Sequence, residues 1–122
     1  MALFTLAEAR EELARMRPSL DEIVALRADA AELAIALQPG GRPTSLGGLP
    51  ELKAAQARLD ELLSAVQQTG AELKGLAPLL LDFPADLAGE PILLCWLEGE
   101  QAIEWYHRPD LGVAGRRRLT AG

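Results

Sequence analysis

What this chain has little of constrains it first. Among its 122 residues there is no Asn, one Cys, one His, one Tyr, two Trp and two Phe. A single Cys cannot close an internal disulfide, so the fold must stand on its core, and a reducing cytoplasm is the setting expected. Basic residues are also outnumbered. Twelve Lys and Arg against eighteen Asp and Glu leave a net charge of −6, which excludes a mainly phosphate-neutralising nucleic-acid binder. No apolar run reaches the ~20 residues that would cross a bilayer, and no signal-sequence pattern opens the chain, so no membrane association is expected.

What is there is Leu- and Ala-rich, with 49% hydrophobic and 25% charged residues, as expected for one soluble domain spanning 1–122. Thr5-Leu6-Ala7-Glu8 has the spacing of a capping box, in which the Thr hydroxyl and the Glu carboxylate each satisfy an amide at the start of a helix. Apolar residues then recur every three or four positions, through Leu6, Ala9, Leu13, Met16, Leu20, Ile23, Leu26, Ala30, Leu33 and Leu37. That spacing predicts one long helix over 5–37 with a coiled-coil type seam, kinked or broken at Pro18. Residues 38–48 are rich in Gly and Pro and read as a flexible linker. A second helix is predicted over 50–69, with Leu52, Ala55, Leu59, Leu62 and Val66 on its apolar face and Gly70 as its stop. The two pack as an antiparallel helical hairpin.

The period changes after Gly70. A β-rich region is expected over 71–107, with strands at Leu79–Asp82, Ile92–Leu97 and Ala102–His107, the first ended by Pro84. The fold class is therefore α+β, a helical hairpin followed by a small antiparallel sheet of three or four strands. A tight turn at Glu98–Gln101 would put Ile92, Leu94, Trp96, Trp105 and His107 on one face, and Leu93, Cys95, Leu97 and Tyr106 on the other. Both faces are apolar enough to imply helices on one side and a partner subunit on the other. Residues 108–122 read as an irregular segment, with Arg116-Arg117-Arg118 a solvated tail.

Nearly all the distinctive chemistry lies between Asp82 and Arg116. Within it stand Asp82-Phe83-Pro84, Leu94-Cys95-Trp96, Gly99-Glu100, Trp105-Tyr106-His107 and Gly112-Val113-Ala114-Gly115-Arg116. This order, after a capped Phe-Thr-Leu-x-Glu-Ala opening, resembles an uncharacterised bacterial family catalogued as domain of unknown function 2203. The resemblance covers nearly the whole chain and implies a cytosolic protein without an assigned activity. Two positions depart from the family pattern: Trp105-Tyr106-His107 replaces Phe-Trp-His, and Gly112-Val113 replaces Gly-Phe.

Two functional readings stand side by side. The first is a non-enzymatic interaction module, a homo-oligomer and most simply a dimer, whose aromatic block builds core and interface. The second is a small enzyme or metal-binding protein using Asp82, Glu100, His107 and Arg116. Here His107 would be general base or ligand, the two carboxylates its partners, and Arg116 a clamp for an anionic group. Asp82, Glu100 and His107 could hold Zn or Mn, although neither His-x-x-x-His nor Cys-x-x-Cys spacing is present. Cys95, mid-strand among apolar residues, reads as an inert buried thiol. Apart from that alternative divalent metal, no cofactor is expected.

Overall fold

The computed structural model describes residues 3–120. Helix α1 runs Leu6–Ala36 and α2 runs Leu49–Gln68; five strands follow, β1 (Glu72–Leu76), β2 (Leu79–Leu87), β3 (Glu90–Leu97), β4 (Trp105–His107) and β5 (Arg117–Arg118). The strands form one antiparallel meander in the order β1-β2-β3-β4-β5. The class is α+β, with a fifth strand beyond the three or four expected. The chain divides into two compact units, one of Met1–Arg15 with Val66–Gly122 and the other of Met16–Ala65.

In the second unit, the later turns of α1 run antiparallel to α2. Glu22 pairs with Arg58 at 2.8 Å, while Glu32 accepts a hydrogen bond from Thr44, just ahead of α2. Leu20, Ile23 and Leu33 on α1 and Ala55 and Leu62 on α2 are buried, so the three–four seam is the hairpin core. Leu26, Ala30 and Leu59 are only half-buried. Pro18 neither ends α1 nor opens a new helix; α1 passes through it with Pro18 on the exposed side. The residues between the helices make a fixed turn. A Cβ on Gly41 would run into the carbonyl oxygen of Ile35, so the chain crosses the end of α1 at a distance only Gly permits. Gly48 then donates its amide to Glu51 at 2.7 Å, capping α2.

The first unit starts at the capping box, with Glu8 N–H donating to Thr5 Oγ1 at 3.0 Å and Thr5 N–H to Glu8 Oε1 at 2.9 Å. Ala9 and Leu13 are buried, Phe4 meets Phe83 edge-to-face at 5.3 Å, and Arg10 donates twice to the carbonyl of Ile103. These contacts seat the helix start on the sheet face carrying Phe83. Pro84 does not end β2, which continues to Leu87. Pairing with β1 reaches only Asp82, and the carbonyl of Pro84 accepts the amide of Phe4 at 2.7 Å. In an antiparallel strand, N and O of one residue point to the same side. The nitrogen of Pro84 therefore points away from β3, where no ladder donor is needed.

Trp105 and His107 lie opposite Cys95 and Leu93, not on the face of Ile92 and Leu94 as expected. The connection after Leu97 is a wider loop than a tight hairpin. Gly99 turns it at φ 99°, the indole of Trp96 donates to the carbonyl of Glu100 at 2.8 Å, and pairing resumes only at Trp105. One residue of offset reverses every side chain beyond it. The C-terminal segment is also more than a tail. Arg117–Arg118 pair with Tyr106 and Trp105 as β5, and Arg116 stacks over the Trp105 ring at 4.7 Å. Residues 116–118 thus lie against the Trp105 side of the sheet. No helix among the described residues is long and apolar enough to cross a membrane.

Candidate functional site

The turn between β2 and β3 is Ala88-Gly89, both at positive φ (52° and 86°), the pattern of a two-residue type I′ hairpin. Counting outward from it, Asp82 falls opposite Cys95. Directly opposed residues share a face, as do residues two apart on one strand. Asp82, Cys95 and His107, from three adjacent strands, therefore project from the same side of the sheet. Each offers one ligand atom from a buried side chain, all three atoms within 4.8 Å of one another, with Asp82 and His107 each 2% exposed.

His107 Nδ1 lies 2.8 Å from the carbonyl oxygen of Arg108, which can only accept, so Nδ1 carries a hydrogen. Nε2 is thereby aimed at Asp82 Oδ1, 3.0 Å away, with a proton held between them. The Cys95 sulfur lies within 4.8 Å of the ligand atoms of both Asp82 and His107. Burial, then the adjacent Asp82 carboxylate, pushes the thiol pKa up to about 12, opposed by the Arg116 guanidinium. As a free thiol, Cys95 stays protonated and is not a nucleophile.

Glu100 and Arg116 make a second pair beside the first. Arg116 Nη2 donates to Glu100 Oε2 at 2.5 Å, while Glu100 Oε1 accepts the amide of Leu97 at 2.7 Å. Arg116 Nε is buried without a hydrogen-bond partner, and the guanidinium carbon lies over the Trp105 ring. Arg118 approaches the same ring at 5.2 Å and pairs with Glu104. The guanidinium of Arg108 holds the Asp110 carboxyl below its ordinary range through a two-point contact, at 3.0 and 2.6 Å. Glu98 accepts the amide of Leu79 at 2.9 Å and ties the turn to the start of β2. The four residues singled out from the sequence thus sort into Asp82 with His107 and Glu100 with Arg116. The group whose polar atoms converge on Asp82 and His107 is completed by Cys95.

The second unit offers a surface of another kind. Ile35, Leu37, Leu46 and Leu49 are all exposed near the turn of the hairpin, Ile35 by 60%. An open groove of about 750 Å³ lies there, lined by Ala31, Ile35, Ala36 and Pro43 among others. In the first unit, a cleft of about 430 Å³ runs between the β2–β3 turn and Arg108–Asp110, with Tyr106 in its wall.

Comparison with known proteins finds a family match. The model of a family described as "Uncharacterized conserved protein (DUF2203)" covers residues 2–119. No curated protein and no solved structure matches.

Proposed function

The chain belongs to the DUF2203 family, and we propose that it acts as a non-enzymatic, self-associating interaction module. The observation that carries this reading is the contrast between its polar and apolar residues. Acid–base catalysis needs a titratable side chain within reach of substrate. Asp82 and His107 are each 2% exposed and bonded to one another, and Glu100 and Arg116 are held in a pair of their own. Among the described residues the most exposed large apolar side chain, Ile35, instead stands at the hairpin turn with Leu37, Leu46 and Leu49. An apolar cluster of that kind is where a second chain gains most from excluding water.

The partner proposed is a second copy of the same chain, joined across a twofold axis so that each hairpin tip covers the other. The single Cys95, buried as a free thiol, accords with the reducing cytoplasm as the site of action. Light scattering on the untagged protein at tens of micromolar tests the reading, with a dimer mass expected. A monomer mass across that range would overturn it.

A further inference from the structure

We propose that Asp82, Cys95 and His107 form a zinc-binding centre, independent of any self-association. The three ligand types come from three neighbouring strands, each held by its ladder, so their positions are fixed by the sheet. A tetrahedral zinc ion with bonds of about 2.0–2.3 Å sets its ligand atoms roughly 3.3–3.7 Å apart. The three ligand atoms here are all within 4.8 Å of one another, and the His107–Asp82 contact of 3.0 Å has to open by only a few tenths of an ångström.

Charge supports the assignment. One carboxylate, one thiolate and one neutral imidazole supply two negative charges, which cancel a divalent cation in a site shut off from water. The neighbouring Glu100–Arg116 pair is itself neutral and leaves that balance intact. The imidazole is also set for ligation. Its Nδ1–H is taken by the Arg108 carbonyl, the usual backbone support of a metal-bound His, and leaves Nε2 to bind. A thiolate in the set selects zinc over manganese or magnesium. The remaining coordination position would take a water molecule carried in with the ion before the site closes. Binding displaces about two protons, one from the Cys95 thiol and one from the Nε2–Oδ1 contact.

With all three side chains buried, the ion would enter as the chain folds. The test therefore unfolds the untagged full chain with a chelator and refolds it with or without one equivalent of zinc. About one zinc per chain should survive desalting, and the thermal midpoint should rise by roughly 5 °C or more. Cys95→Ala should refold and lose at least roughly 100-fold in zinc affinity. Should that variant fail to fold, cobalt in the wild-type chain decides the matter. Cys95 is the only thiol, so a thiolate-to-cobalt charge-transfer band with intense tetrahedral bands can come from this site alone. Folded wild-type protein that retains no metal would overturn the proposal. So would a Cys95→Ala variant that holds zinc as tightly as wild type, or a cobalt spectrum without sulfur character.

Discussion

His107 Nε2 and Asp82 Oδ1 lie 3.0 Å apart with both residues almost wholly removed from solvent. Removing one member of such a pair leaves a buried polar group unpaired, whereas removing both does not. In protein prepared without metal, Asp82→Ala should therefore cost about 3–5 kcal/mol in urea unfolding. The double replacement Asp82→Leu with His107→Leu should cost clearly less than the two single ones added. Additive losses would show that the two side chains are not coupled.

Leu62 is buried in the hairpin seam, and Leu59, on the same face, is only half-buried. Leu62→Ala should cost about 2–4 kcal/mol, and Leu59→Ala about 1–2 kcal/mol, since less apolar surface and less cavity are involved. Denaturant titration of both variants checks the order. A reversal would mean that the helices pair on a different face.

Ala88 occupies the left-handed region at φ 52°, which a Cβ disfavours. Ala88→Gly should stabilise the protein by about 0.5–1 kcal/mol, through relief of that strain less the added freedom of the unfolded chain. A lower thermal midpoint for this variant would contradict a two-residue type I′ turn here.

The Cys95 thiol has its pKa pushed up to about 12 in the fold, above the ordinary value near 9. Between those limits the native state binds more protons than the unfolded chain, so stability falls as pH rises. This contribution is fully present below about pH 8.5 and is lost progressively toward pH 12. Metal-free wild type should therefore lose stability between pH 8.5 and 10.5 more steeply than Cys95→Ala, measured side by side. Parallel curves would place the thiol in a solvated setting.

Ile35 and Leu49 are exposed by 60% and 52% at the hairpin turn. If they join two copies, Ile35→Glu with Leu49→Glu should shift the mass in light scattering from dimer to monomer while leaving the helical circular dichroism signal unchanged. A dimer that survives both charges would move the interface elsewhere.

Local rules were enough for the helices. The Thr5–Glu8 capping box, the three–four seam as far as Leu33 on α1 and Val66 on α2, though not the exposed Leu37 expected to extend it, and the Gly70 stop each depend on residues within a few positions of one another. Nothing so local warned that β2 continues past Pro84, because that depends on Phe4, eighty positions earlier in the chain, reaching the side of the strand that needs no donor. Register was harder still. The offset that turned Trp105 and His107 to the face of Cys95 comes from a loop closed by Trp96 and Glu100, whose length no periodicity records.

Asp82, Glu100, His107 and Arg116 stood out by residue type, and that much the sequence alone determined, together with the α+β class, the acidic charge and the family resemblance. Which of them meet was decided in three dimensions. By its apolar sequence neighbours alone, Cys95 reads as an inert buried thiol. Its partners lie on the strands to either side, thirteen positions back at Asp82 and twelve ahead at His107. A signal for half of this did exist, since a two-residue turn at Ala88-Gly89 places Asp82 opposite Cys95 by counting. Ala in the first position of that turn hid it, because turn chemistry favours Asn, Asp or Gly there. The other half depended on tertiary structure, since the loop before β4 sets how far the sheet slides His107 along Cys95, and only the folded sheet fixes that distance.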